Sequence, residues 1–242
     1  GGIGTALPTL IPAAVTAVMT IVQGLLEQLP LLLDAALQLI LGLAQGLLNA
    51  IRSKGLASLP WTDTASQWCA RVKLLATVFP DEWPDVSEKT LFTTLEAWLL
   101  PFLTGMQRWS DLKKLNLTEA LNSLLTYPQQ QQLNTLAPTP WTKPTGQNVR
   151  LDYSAENGPV LAAKLQALFG WLDTPKVVDG KVSVLIHLLS PAQRPLAVTA
   201  DLGNFWRNVY PEVRKDVRGR YPKHPWPEDP LSAQAQQSDK KK

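Results

Sequence analysis

VVDGKVSVLIHL, residues 177–188, decides how the chain is read. Asp179-Gly180 accepts the positive φ values of a type I′ turn, so Val177-Val178 and the stretch from Val182 read as two arms of a β-hairpin. The second arm alternates. Val182, Val184, Ile186 and Leu188 point to one side, Ser183, Leu185 and His187 to the other, with His187 expected as a partly exposed strand residue without catalytic duty. Downstream, Pro195–Thr199 gives another short strand. Asp201 then caps a helix carrying Phe205 and Trp206, and Pro211-Glu212 opens one that runs to Arg218 and stops at Gly219. Residues 221–227, YPKHPWP, lack periodicity and read as an extended strap that docks through its aromatics. The last twelve residues, ending Lys240-Lys241-Lys242, read as a disordered, solvated tail.

Upstream, Pro159 is expected to open a helix with Leu161, Leu165, Leu168 and Phe169 on one face before Gly170. Val149, Leu151 and Tyr153 alternate with Arg150 and Asp152 as in a strand. The prolines at 138, 140 and 144 forbid helix between Ala137 and Gly146. Strands around one interposed helix fit a small, partly open barrel. Before it lies a helical region. Thr64-Ala65-Ser66-Gln67 has capping-box spacing, and Trp68, Cys69, Val72, Leu75, Ala76 and Phe79 share a face until Pro80. A second helix starts near Ser87 and carries Leu91, Leu95, Trp98, Leu99 and Phe102, closed by Pro101 and Gly105. Two more follow at residues 117–125 and 128–136, with Gln129 to Gln132 as solvated surface. The fold class is α+β.

Charge divides the 242 residues unevenly. Residues 1–51 hold no Lys or Arg and only Glu27 and Asp34, whereas the remainder carries all 23 bases against 18 acids. A lone cysteine, Cys69, excludes a disulfide framework, and two histidines, His187 and His224, exclude a His-rich metal site. Within residues 1–51, Leu7-Pro8-Thr9-Leu10-Ile11 and Leu29-Pro30-Leu31-Leu32-Leu33 recur 22 residues apart, and Gln23-Gly24-Leu25-Leu26 matches Gln45-Gly46-Leu47-Leu48. The period, about 3.67 residues per turn, favours long helices with slight right-handed supercoil. Each unit reads as a helix opened near its proline. Thr16, Thr20, Gln23, Glu27, Asp34, Gln38, Gln45 and Asn49 fall on one narrow polar stripe. A membrane hairpin, a buried helical pair and a truncated array of repeats compete here. Asp34, the amide stripe and the prolines argue against full burial in lipid. No basic stretch precedes the apolar run, as a signal peptide would require, and Gly1 is not expected to be the natural start.

Two resemblances follow from these residues. LPTLIPAAVTAVMTIVQGLLEQ and LPLLLDAALQLILGLAQGLLNAI resemble the hydrophobic 22-residue repeats of long-tailed phage tape-measure proteins, which implies a structural, lumen-lining helix. The repeat ends at Arg52-Ser53-Lys54-Gly55, where a third unit needs proline, so a join between unrelated sequences is the simplest account. The stretch LLSPAQRPLAVTADLGNFWRNVYPEVRKDVRGRYPKHPWPEDP, residues 188–230, resembles the C-terminal signature of HrpB-type ATP-dependent helicases, relatives of the DEAH-box RNA helicases. Thr142-Lys143-Pro144-Thr145-Gly146, Leu151-Asp152-Tyr153 and Gly158-Pro159-Val160-Leu161-Ala162 extend the likeness, more loosely back to about Gly55. The resemblance implies a helicase-associated helical region over 55–137, an OB-like domain over 138–230 and a tail over 231–242. It also implies two ATPase lobes as partner, a single-stranded RNA or DNA ligand, and a bacterial cytoplasmic location.

A helicase motor needs a phosphate-binding Gly-rich loop with its lysine and a DExH element to place magnesium. Neither occurs in these 242 residues, so ATP and magnesium belong only to a core outside them. Gly1-Gly2-Ile3-Gly4-Thr5 lacks the Lys-Ser/Thr pair, and Asp81-Glu82-Trp83-Pro84 sits in a proline-broken loop. No catalytic constellation or metal site stands out; Glu228-Asp229 reads as a solvated bend. What remains is binding. Arg207, Arg214, Arg218, Arg220 and Lys223, joined by Lys215, lie among Trp206, Tyr210, Tyr221 and Trp226, a mixture suited to phosphate contact with base stacking or docking. It suits structural ion pairing equally, since Arg214 and Arg218 near a helix C-terminus have Glu212 and Asp216 as local partners. Lys143, Arg150, Lys176, Lys181 and Arg194 are further candidates for lining a groove.

Overall fold

The computed structural model describes residues 7–236, and its contacts divide the chain into two units: residues up to 60 together with 95–115, and residues 61–94 together with 116 onward.

The first unit is built on α1 (Leu7–Lys54), a single helix of 48 residues. The expected break at each repeat is absent, and the helix continues through Pro12 and Pro30. Each proline forfeits one backbone bond, while the Leu- and Ala-rich turns that follow each of them favour helix. The Thr16 hydroxyl donates to Pro12 O at 2.9 Å and the Thr20 hydroxyl to Thr16 O at 2.9 Å. Only the end of α1 is buried: Ala44, Leu47, Leu48 and Ile51 pack with α4 (Leu95–Leu103), whose Leu95, Trp98, Leu99 and Leu103 complete this core. Arg52 pairs with Glu96 at 3.0 Å, and the Lys54 ammonium lies 5.1 Å above the Trp109 ring.

The second unit begins with α2 (Asp63–Val78), capped by Thr62, whose side chain accepts from Ala65 N. The cap thus lies two residues before the expected box, because Gln67 is used elsewhere. The helix expected from Ser87 is two: α3 (Glu88–Thr93), capped by Ser87, ends at Thr94, and α4 follows. Next come α5 (Leu117–Asn122) and α6 (Tyr127–Leu136). Gln129 and Gln130 do more than face solvent. Gln129 accepts from Thr126 N and donates to Glu82 O, and Gln130 donates to Asn122 O and Leu125 O.

The strands form three small sheets that do not close into a barrel. β1 (Pro140–Thr142) pairs antiparallel with β2 (Asn148–Arg150). β3 (Val160–Lys164) runs parallel to β6 (Leu185–Leu189), which is also antiparallel to β7 (Pro195–Thr199). β4 (Lys176–Val177) and β5 (Val182–Ser183) are the hairpin arms. Asp179 and Gly180 have φ 52° and 78°, and Lys181 N donates to Val178 O at 3.0 Å, as the Asp-Gly turn requires. The helix expected from Pro159 is instead β3 and a 3-10 turn at Leu165–Leu168. Pairing to β6 overrides the helical spacing of Leu161, Leu165 and Leu168, and all three end up buried.

The C-terminal helical stretch is continuous, from α7 (Leu202–Asn204) through a π-helical turn at Phe205–Val209 into α8 (Tyr210–Arg220). Gly219 does not stop it; Tyr221 is the cap. Asp201 caps the start by accepting from Asn204 N at 2.8 Å. Asp201→Ala is expected to lower stability by about 1 kcal/mol, read as a shifted urea midpoint at unchanged slope. Residues 231–236, expected as the start of the tail, run beside the 3-10 turn, with Gln236 N donating to Gln166 O at 2.9 Å. The basic end of that tail, and Gly1 to Thr5, lie outside the described residues.

Candidate nucleic-acid interface

A groove of about 590 Å³ opens on the second unit between α2, the start of α5 and the β1–β2 hairpin. Its walls are mostly apolar, from Trp68, Pro140 and Val149, and Thr64, Asn148 and Arg150 supply polar groups. Trp141 opposite Val149 sets the hairpin register, and Gly146 at φ 77° closes its turn. The groove is held from below by Gln67, expected from the sequence only as a capping-box residue, and by Arg71, which the sequence reading does not single out. Gln67 donates to Asp152 Oδ1 at 2.6 Å and accepts from Tyr153 N at 2.9 Å, joining α2 to the segment that follows β2. Arg71, 7% exposed, donates through Nε to Ala137 O at 2.6 Å and through a terminal nitrogen to Leu133 O and Asn134 Oδ1 at 3.0 and 2.7 Å. It closes the C-terminal end of α6, and burial pulls its guanidinium pKa downward. Asp152 is held below the usual carboxylate range, first by the hydrogen bond from the Ser154 hydroxyl and then by that from Ser154 N.

Of the basic candidates, the structure brings Lys143 and Arg150 together on one hairpin. The Lys143 ammonium lies 3.3 Å from Gln147 Oε1, and partial burial lowers its pKa. Arg150 is exposed and pairs with Asp63. Lys176 lines a second, polar groove with Thr174, Ser183 and Asp201, and the Arg207 guanidinium reaches back over Gly203 beside it. Lys181 is committed to the Phe79 ring, 4.3 Å from its centroid. Arg194 sits in the β6–β7 turn. In α8, Arg214 serves the strap, donating to Trp226 O at 2.7 Å and pairing with Glu228 at 3.3 Å, and Arg220 pairs with Asp216 at 3.0 Å. Lys215 pairs with Glu212 at 2.7 Å. Lys176, Arg194, Arg207, Arg218 and Lys223 are exposed and make no ion pair among the described residues.

The aromatic candidates divide sharply. Trp206 and Tyr210 are buried with Phe169 and Phe205 in a cluster of edge-on and tilted rings, with centroids 5.1–6.5 Å apart. No base can stack on them. Trp226 is buried too, its indole N–H donating to Tyr221 O at 2.9 Å, and the Tyr210 hydroxyl donates to Pro227 O at 2.9 Å. These rings dock the strap. Tyr221 keeps partial exposure beside His224. Asp81-Glu82 lies in a turn whose carbonyl at Glu82 is taken by Gln129.

Burial pushes the Cys69 thiol up to about 11 and the Tyr210 phenol up to about 12. Cys69 is therefore a neutral thiol at physiological pH, with little thiolate to act as nucleophile. Both pKa values are raised on folding, so the stability they contribute is complete below their ordinary values of 9.0 and 10.0 and is lost as pH rises through about 11 and 12. Urea midpoints are expected to fall over that alkaline window, and Tyr210→Phe is expected to shrink the fall.

The helices, open mixed sheet and strap are those of a helicase C-terminal region, and residues 98–230 match the HrpB family model described as "ATP-dependent helicase C-terminal". The chain belongs to that family. It is 43% identical over 195 residues to the ATP-dependent RNA helicase HrpB of Escherichia coli K12, covering 80% of this chain and 24% of the relative. A crystal structure of the E. coli DExH-box NTPase HrpB superposes with a TM-score of 0.72 at 43% identity, covering 78% of this chain and 23% of that one. Another, of the E. coli DEAH/RHA helicase HrpB, gives 0.64 at 42%, covering 76% and 23%. The chain thus spans about a quarter of the length of these relatives. None of these matches bears on the likeness of residues 1–51 to tape-measure repeats.

Proposed function

We propose that residues 55–236 are the non-catalytic C-terminal module of an HrpB-like RNA helicase in the bacterial cytoplasm, guiding single-stranded nucleic acid and bracing ATPase lobes supplied outside these residues. The family match over residues 98–230 carries this reading. The groove beside the β1–β2 hairpin supports it, with apolar walls for unstacked bases and Arg150 and Lys143 on one hairpin for phosphates. The unpaired cations Lys176, Arg194, Arg207, Arg218 and Lys223 supply a broader positive field for a polyanion. An OB-type mode of binding belongs to the same proposal, with the open sheet as its platform.

The test is fluorescence anisotropy with a labelled single-stranded RNA across a salt series. Affinity is expected to fall with salt, and Lys143→Glu with Arg150→Glu to weaken it and lower the salt slope by about one per phosphate contact removed. A single-stranded DNA of the same sequence reports whether the 2′-hydroxyl matters. The chain alone is expected to show no nucleic-acid-stimulated ATP hydrolysis. Salt-independent binding, or binding indifferent to both substitutions, removes the hairpin from the proposal.

A further inference from the structure

Between Leu10 and Leu41, α1 exposes seventeen large apolar side chains, from Leu10 at 60% through Met19 at 67% to Leu41 at 40%. A monomer in water rarely shows a contiguous apolar patch beyond a few hundred Å². The width of this face tells what covers it. At about 100° per residue, sixteen of the seventeen fall within an arc of roughly 220°, whereas eight of the nine polar positions from Thr16 to Asn49 occupy a stripe of roughly 80°, with Gln28 at the edge of the apolar arc. A partner helix covers a stripe of about 100–140° and leaves the rest of such an arc wet. A lipid bilayer covers all of it at once.

We propose that the exposed part of α1 lies in a lipid bilayer. Three further observations point the same way. The 32 residues from Leu10 to Leu41 extend about 48 Å, enough to cross a bilayer of about 40–45 Å including headgroups at modest tilt. The helix continues through both prolines, and four of its polar side chains donate within it: Thr16 and Thr20 to the preceding turn, Gln23 to Glu27 and Gln45 to Asn49. Such bonds lower the cost of taking these groups out of water. Finally, the globular end of the same unit is basic. Arg52, Lys54, Arg108, Lys113 and Lys114 face only Glu96 and Asp111, and Trp109 remains 37% exposed beside Lys54. Arg52 and Lys54 lie within about 15–20 residues of the span, and with the other cations of the unit and an indole among them they suit an anionic headgroup layer.

The experiment is flotation of the full chain with vesicles of phosphatidylcholine, with and without phosphatidylglycerol, followed by an alkaline carbonate wash. The expected result is wash-resistant flotation, stronger with the anionic lipid. Val18→Glu with Leu25→Arg changes only exposed positions at the middle of the arc, so folding is untouched, and the partition coefficient is expected to fall about a hundredfold or more. Lys113→Glu with Lys114→Glu is expected to remove the preference for phosphatidylglycerol. A chain that stays below the vesicles as a discrete oligomer overturns the proposal in favour of self-association, and flotation unchanged by Val18→Glu with Leu25→Arg overturns it as well. Nucleic-acid binding by the second unit is a separate reading that neither outcome touches.

Discussion

Replacing Arg71 by alanine is expected to destabilise the second unit by about 3 kcal/mol: of its three charge-assisted bonds, those to the buried residues Ala137 and Leu133 are worth roughly 1.5 kcal/mol each, while water can replace the one to exposed Asn134. Leu133 O already receives Ala137 N, but Ala137 O has no other donor among the described hydrogen bonds. For a chain of this length that corresponds to about 6–12 °C in melting temperature. Arg71→Lys is expected to recover less than half, because one ammonium cannot span Ala137 O, Leu133 O and Asn134 as the planar guanidinium does. Urea unfolding followed by tryptophan fluorescence measures both. A loss below about 1 kcal/mol, in the range of an ordinary surface change, contradicts the role given to this side chain.

Trp206→Ala carries the second large effect, about 3–5 kcal/mol, the usual cost of deleting a buried aromatic. Trp206 touches Phe169, Phe205 and Tyr210, and its indole N–H donates to Trp171 O at 2.7 Å. Trp206→Phe separates packing from polarity: the ring remains, the Trp171 carbonyl is orphaned, and a cost of about 1–3 kcal/mol is expected. The strap offers an independent readout. Because Tyr210 holds Pro227 from within this cluster, Trp206→Ala is expected to open residues 221–236 to limited proteolysis, whereas Arg71→Ala leaves the strap protected. Equal protection in both variants would show that the strap does not depend on the ring cluster.

What the sequence made legible was mostly local. The Asp179-Gly180 turn, the alternating burial from Val182 to Leu188 and the Asp201 cap depend on neighbours a few residues away, and each appears. The expected second arm, however, is two strands in different sheets, β5 and β6, and Val178 at φ 56° joins the turn instead of the first arm. β3 was misread as helix because its partner β6 lies 25 residues on, Val160 facing Leu185, beyond the reach of any local pattern. The candidate interface was half legible. Lys143 and Arg150 do share a hairpin, but Trp206, Tyr210 and Trp226, suitable in type for stacking, are spent on the core and the strap. Arg71 was passed over as one more base. Its spacing from Trp68, Val72 and Leu75 nevertheless places it on the core face of α2, where a cation must find carbonyls or carboxylates. That spacing was the available signal.

The parallel pairing of β3 with β6 also governs how the sheet is assembled during synthesis. β6 is the central strand, joined on one side to β3 and on the other to β7. A nascent chain emerging from the ribosome therefore exposes Leu161 and Ala163 without a ladder partner until residue 189 is out, and the sheet is incomplete until Thr199. Over that interval the emerging strand is open to chaperones and proteases, and a translational pause that falls after residue 164 has left the ribosome and before residue 189 has done so lengthens the exposure.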